Sequence, residues 1–315
     1  MADASARRVP PDRGRGQKLG YGRGLWPALA GPGVLWLILF FIVPLYAIVA
    51  VALGRLDPIF ITAAPVWNPL EWDPGALQSV FSEIVGGGPL QTVLIRTFGY
   101  VAVAVSLCIV MGYPVAYYIS RYGGRRKTLL LILVIAPFWI SYLMRMLAWV
   151  NLLQDNGYVN DILMFFGILD RPRSWLAGEP TTVILGLVYG YIPFFILPLY
   201  AALDRIDKSL LEAARDLGAS PWRTFLRVTL PLSKQGILAG SVIVMLPMFG
   251  DYYTPDLLSG VPRTSMFGNQ IAFFIQSGSG GARGAALTIF LSLLVSVLMI
   301  YYLLSVARSA REART

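Results

Sequence analysis

The sequence predicts an all-α polytopic membrane protein, six kinked transmembrane helices with one structured helical loop, and three observations predict it. The chain is 56% hydrophobic and only 14% charged. Six separate apolar stretches each run 20 residues or more, and the Lys and Arg residues gather in alternate loops between them. With no His and a single Cys, Cys108, inside an apolar run, a zinc site, a His-based triad, a disulfide framework and a CxxC redox pair are excluded.

In chain order, residues 1–25 are rich in Gly, Pro and Arg with nothing to bury, and read as a mobile basic tail. The RGRG and GYGRG fragments in it lack the strand-then-helix context of a phosphate loop. A transmembrane domain over 26–307 follows, with spans at about 34–53, 98–119, 129–153, 181–203, 236–255 and 285–307, and then a second tail over 308–315. Each span is long enough to cross ~30 Å of hydrocarbon as a helix. The first is too long for a removed signal peptide and has no clear small-residue cleavage site, so it reads as a retained anchor. Pro44, Pro114, Pro137, Pro193, Pro198 and Pro247 lie within spans and predict kinks facing a bundle interior.

Nineteen of the 26 Lys and Arg residues fall in the termini and the even-numbered loops. Six (Arg55, Arg96, Arg171, Arg173, Arg263, Arg283) fall on the opposite side, and Arg145 lies within the third span. Under the positive-inside rule both termini are cytoplasmic. The net charge of +9 is therefore a topological signal, and no nucleic-acid partner is implied.

The loop over 204–234 is too long for a simple connector and too well patterned for a floppy one. Leu210, Leu211, Ala214 and Leu217 make one helical face, ended by Gly218. Ser220 then caps a second short helix with Pro221 in its first position and Trp222, Phe225, Leu226 and Thr229 on its face. A helix, turn, helix results. Within it, Glu212-Ala213-Ala214 is followed by Gly218, by aliphatic Val228 and by Leu230-Pro231.

This stretch resembles the EAA signature of permease subunits of ATP-binding-cassette importers, with Val228 where isoleucine is commoner. The resemblance implies that Glu212, Ala213, Ala214, Leu217 and Gly218 dock into a cleft of an ATPase subunit. The residue types fit such a contact: small alanines allow close approach, Gly218 a sharp turn, and Glu212 a carboxylate for a basic group. A surface amphipathic helix on lipid headgroups is the alternative. No GxxxxGK[ST] sequence is present, so the chain itself holds no cofactor and is not an enzyme, and ATP and Mg belong to partner ATPase subunits.

DNGYVNDIL (155–163), GLVYGYIPFFILPLYAALDRID (186–207), LLEAARDLGAS (210–220) and GDYYTPDLLSG (250–260) further resemble the spermidine/putrescine permeases. The resemblance implies two ATPase subunits, a second related permease, an extracytoplasmic substrate-binding protein and a place in the lipid of a bacterial inner membrane. A polyamine requires carboxylates for its ammonium groups and aromatic faces for its charge and methylenes. The candidates are Asp251 with Tyr252 near the outer end of the fifth span, Tyr142 and Trp149 from a stripe with Trp139 and Met146 in the third, and Tyr189 between Gly186 and Gly190 of a GxxxG in the fourth. For Asp251 the alternative is an acid in the outer interface; for the stripe and the GxxxG it is helix packing. Arg145 is expected to snorkel to headgroups or to pair with a carboxylate. Import of ferric iron or another organic cation, and an ion-coupled secondary transporter, are the competing functions.

Overall fold

The structure, a computed structural model, describes residues 25–56, 62–277 and 279–312. The basic segment before residue 25, expected to be mobile, lies outside the described residues. The chain divides into two compact units, 1–47 and 48–315. The first contains α1 (Leu25–Leu37), a π turn (Ile38–Ile42) and the start of α2 (Val43–Ala52). Pro44 accounts for the π turn: its ring crowds the carbonyl four residues back, and widening the turn, with the Val43 N–H on the Ile38 carbonyl, relieves the clash.

The second unit carries, after α2, a two-residue antiparallel pair of β1 (Arg55–Leu56) and β2 (Ala63–Ala64), with Arg55 opposite Ala64. Helices follow in the order α3 (Gly75–Val85), α4 (Pro89–Tyr122), α5 (Lys127–Ile135), α6 (Tyr142–Leu152), α7 (Tyr158–Phe165), α8 (Pro180–Asp204) and α9 (Lys208–Asp216). After these come α10 (Pro221–Thr224), a second π turn (Phe225–Thr229), α11 (Leu230–Leu232), α12 (Lys234–Gly250), α13 (Tyr253–Leu258), α14 (Phe267–Gln276) and α15 (Gly281–Glu312). The second π turn precedes Pro231 as the first precedes Pro44, for the same steric reason.

The core is the packing of α4 and α12 against the two sides of α8. Fully buried Phe195 of α8 lies between Gly112 of α4 and Gly240 of α12, where an added Cβ would sit 2.8 Å from its ring on either side. Gly236, one turn before Gly240, admits Ala202 in the same way, at 2.4 Å. In lipid, where apolar burial drives little, such close backbone approach is what holds helices together. A second cluster joins α3, the start of α4, α14 and α15 through Val80, Leu90, Phe267 and Leu287.

Among the described residues, four helices are long and apolar enough to cross a membrane: Leu29–Ala52, Pro89–Tyr122, Pro180–Asp204 and Gly281–Val306. The count is six if each of two bent pairs is one span. The expected third span is one of these pairs. It breaks after a 3-10 turn (Ala136–Trp139) and the extended Ile140, and the two halves lie 86° apart. The other pair, Pro221–Leu232 and Lys234–Gly250, meets at 60°.

The helices that carry the expected spans have ends of their own. α4, over the second, begins at Pro89, and in its polar first turns Arg96 donates to the Ser265 carbonyl (2.8 Å) and Thr97 Oγ1 accepts from the Phe267 N–H (2.9 Å). α12, over the fifth, ends at Gly250, where Asp251 is extended. The last helix runs from Gly281 to Glu312, through most of the expected tail, and 313–315 lie outside the described residues.

The prolines also differ from expectation. Pro114, Pro137 and Pro247 are exposed and Pro193 and Pro198 half-buried, so the rings do not face inward. A proline opens a helix on its own side, and an outward ring curves the axis around the bundle.

Candidate functional site

Two regions carry the residues singled out in the sequence, one at each end of α12. The first is the foot formed by α9 to α11. Asp207 caps α9 by accepting the Ser209 N–H (3.0 Å), and the helix closes in a Schellman turn: Gly218 N–H to the Arg215 carbonyl (2.8 Å), Ala219 N–H to that of Ala214 (3.0 Å). Gly218 has φ +79, and no atom lies within 4 Å of where a Cβ would be. The glycine is required by backbone conformation, not by space. Ser220 Oγ then accepts the Arg223 N–H (3.3 Å), with Pro221 in the first helical position.

Glu212, Ala213 and Gly218 are exposed, Ala214 is half-buried and Leu217 is 88% exposed. Leu210, Trp222 and Leu226 are exposed as well, so the foot presents apolar side chains that this chain does not cover. Behind them the foot is fastened to the bundle. Phe225 packs edge-on against Tyr113 (5.5 Å) and Tyr117 (5.8 Å) of α4 and stacks on Trp222 (5.4 Å). Tyr113 Oη and Ser233 Oγ share a buried hydrogen bond of 2.9 Å at the bend into α12. Arg121 donates to the Ile206 carbonyl (3.2 Å), and Lys127 pairs with Asp204. These contacts tie the foot to both α4 and α12.

Acid should loosen this element. The Ser209 backbone N–H on Asp207 holds its carboxyl below the usual carboxylate range. A depressed carboxyl stabilises the cap above its unfolded pKa, and that contribution disappears as pH falls through the folded value. A spin label at Ala213 is expected to gain mobility on acidification from about pH 7 to about pH 3. In Asp207→Asn, which caps without titrating, it should not.

The second region surrounds Asp251. The aspartate is 6% exposed. Its Oδ1 accepts the Thr254 N–H (3.1 Å), capping α13, and its Oδ2 accepts hydroxyls from Thr254 (2.7 Å), Tyr142 (2.8 Å) and Tyr191 (3.2 Å). Tyr191 is the twelfth of the 25 residues of α8, about 17 Å along the axis from the first residue and about 20 Å from the last. Asp251 is thus a buried acid bonded to a tyrosine near the middle of that helix. Gly186 and Gly190 make room for this arrangement. A Cβ on Gly186 would meet Leu258 at 2.3 Å and Thr254 at 2.6 Å, and one on Gly190 would meet the Tyr142 ring at 2.8 Å.

The third-span stripe divides at the break. Tyr142, Met146 and Trp149 pack with Tyr189 and Leu258, the Trp149 and Tyr189 rings 5.3 Å apart, whereas Trp139 is 80% exposed on the other side of the bend. Tyr252 is half-buried, with its ring 4.1 Å from that of Tyr253, and its carbonyl accepts from Asn269 (2.8 Å). Arg145 departs from both expectations for it. It is 7% exposed, it pairs with no carboxylate among the described residues, and its guanidinium lies 4.1 Å over the Phe138 ring. The break at 139–141 turns α6 inward and takes Arg145 with it.

A family described as "Binding-protein-dependent transport system inner membrane component" matches residues 108–311, which include both the foot and Asp251. The chain belongs to this family. As a permease of this kind it is 34% identical over 268 residues to the spermidine/putrescine transport system permease protein PotB of Escherichia coli (strain K12), covering 85% of this chain and 92% of that one. It is 35% identical over 267 residues to the PotB of Haemophilus influenzae, covering 85% and 89%. The backbone resembles that of a bacterial ABC transporter involved in the import of the acidic polysaccharide alginate, with a TM-score of 0.70 over 90% of this permease and 95% of that chain at 18% identity. That likeness concerns fold alone.

Sequence reasoning passed over Tyr113, Tyr117, Arg121 and Ser233, which tie the foot to the bundle, and Tyr191, which completes the Asp251 shell. The Gly236-x-x-x-Gly240 spacing was a readable signal for the α8–α12 contact. The others had none, since their partners lie 60 to 120 residues away. Tyr113→Phe removes one buried hydrogen bond, about 1 kcal/mol, and leaves Ser233 its bond to the Leu230 carbonyl. The expected outcome is an assembled transporter whose ATP hydrolysis is retained and whose uptake per ATP falls about two- to fivefold, read by parallel uptake and hydrolysis assays.

Proposed function

We propose that this permease forms, with a second related permease, the passage of an ATP-driven polyamine importer in a bacterial inner membrane. Both termini are cytoplasmic, two ATPase subunits carry ATP and Mg on that side, and an extracytoplasmic binding protein delivers spermidine or putrescine on the other. The single observation that carries the reading is the 34% identity to a spermidine/putrescine permease along 85% of the chain. The foot supports the coupling part: Glu212, Ala213, Ala214, Leu217 and Gly218 stand exposed on a helix whose apolar residues this chain leaves uncovered, as a surface for an ATPase cleft requires.

In the proposed cycle, ATP-driven closure of the ATPases displaces the foot. The Phe225 cluster and the Tyr113–Ser233 bond pass that displacement to α4 and α12, and the passage turns outward. Hydrolysis returns it inward. Asp251 with Tyr142 supplies the carboxylate and ring that an ammonium ion requires, with Tyr189, Trp149 and Tyr252 as further aromatic surface. No covalent chemistry takes place in this chain.

The test is reconstitution in proteoliposomes with the cognate ATPase, second permease and binding protein. Spermidine or putrescine should stimulate ATP hydrolysis and enter the vesicles, and unrelated solutes should do neither. Stimulation by ferric iron or an amino acid in place of polyamines would refute the substrate, and uptake driven by an ion gradient without ATP would refute the coupling.

A further inference from the structure

Arg145 is the least satisfied charge among the described residues. It is 7% exposed, and its Nε and Nη1 are buried with no hydrogen-bond partner among the described residues. A guanidinium carries five N–H donors. Leaving the three on Nε and Nη1 without acceptors is costly inside a protein and more so inside a membrane-spanning bundle. What holds the group is aromatic: its central carbon lies 4.1 Å from the Phe138 ring, 5.4 Å from Tyr142 and 6.0 Å from Tyr189. Ring faces attract any organic cation in this way, without regard to which one.

Tyr142 joins this cage to Asp251, because the ring beneath the guanidinium carries the hydroxyl that donates to the carboxylate at 2.8 Å. We propose that Phe138, Tyr142, Tyr189 and Asp251 form one site for an organic ammonium group, whose aromatic half is filled in this state by the chain's own Arg145. The cage is assembled across a hinge: Phe138 precedes the 86° break and Tyr142 follows it. Movement at 139–141 parts Phe138 from the other two rings and releases the guanidinium, while the hydroxyls around Asp251 exchange for the incoming ammonium. Arg145 is thus a tethered competitor that keeps the site closed to cations until the bundle rearranges. The inference rests on the polyamine reading and adds to it Phe138 as a wall of the ammonium subsite and Arg145 as the device that blocks it.

The test measures equilibrium binding of radiolabelled spermidine to the detergent-solubilised complex of both permeases and the ATPases, without the binding protein. A site occupied by its own side chain about nine-tenths of the time binds about tenfold more weakly than when free. Arg145→Gln is expected to tighten spermidine binding about tenfold, and Arg145→Lys, which keeps the tethered cation, to remain within about twofold of the parent. Adding Asp251→Asn to Arg145→Gln should abolish the gain. Arg145→Met is carried in parallel to guard against a folding defect of the Gln variant alone.

Unchanged binding by an assembled Gln or Met variant overturns the inference, and spermidine uptake by the parent transporter would then leave the polyamine reading standing. If neither variant assembles, Arg145 serves the fold and the inference is equally overturned. A parent complex that neither binds nor imports any polyamine removes the reading and the inference together.

Discussion

Replacing Gly218 with valine is expected to abolish ATP-coupled uptake while the transmembrane bundle still folds. At φ +79 a residue with a Cβ costs about 1–2 kcal/mol, and a β-branched one more. The site itself is open, with no neighbour within 4 Å to clash. The penalty is therefore relieved by undoing the Schellman turn, which releases the carbonyls of Ala214 and Arg215 and redirects the chain between α9 and α10. Leu217 and Trp222 then no longer share one docking surface. The core of α4, α8 and α12 lies elsewhere, so assembly of the two permeases is expected to survive. Uptake into proteoliposomes should fall by at least about tenfold, Gly218→Ala should be intermediate, and Gly218→Asn, which tolerates the left-handed region, should retain most activity. Wild-type uptake by the valine variant would show that the turn has no part in coupling.

The second large effect is expected at Asp251. Its carboxylate accepts three hydroxyls and one backbone N–H in a nearly sealed environment, and charge-assisted bonds of this kind contribute about 1.5–3 kcal/mol each. Asp251→Asn keeps the shape and loses the charge. Uptake is expected to drop at least about tenfold and the thermal transition of the complex to fall by a few degrees. Asp251→Ala, which leaves Tyr142, Tyr191 and the Thr254 N–H without their acceptor, should lower stability further. Thr254→Val separates the roles, because it removes one hydroxyl and keeps the charge. It should reduce stability by about 1 kcal/mol with uptake near normal. An Asp251→Asn transporter that is less stable yet imports at the full rate would reduce the aspartate to a cap for α13.

The foot was legible because its information is local. Gly218, Ser220 and Pro221 each act on backbone groups within a few residues, and capping and turn chemistry of that range follows directly from residue order. The spans were legible for a similar reason: bilayer thickness imposes a minimum apolar length, which composition reveals. Burial, by contrast, depends on which helix comes to lie beside which. In the sequence Arg145 read as reaching headgroups or pairing with a carboxylate, and Asp251 as a substrate-path acid near the outer end of a span or an acid in the interface. Each is drawn inside by a helix end, at 139–141 and at 250–252, whose position is set by glycine contacts between segments far apart in the chain. The sequence thus determined what this protein is made of and where its foot stands. Tertiary packing alone decided that a cation with no carboxylate partner among the described residues and a hydroxyl-bound anion share one tyrosine, because only a folded bundle brings α6, α8 and α12 to one place.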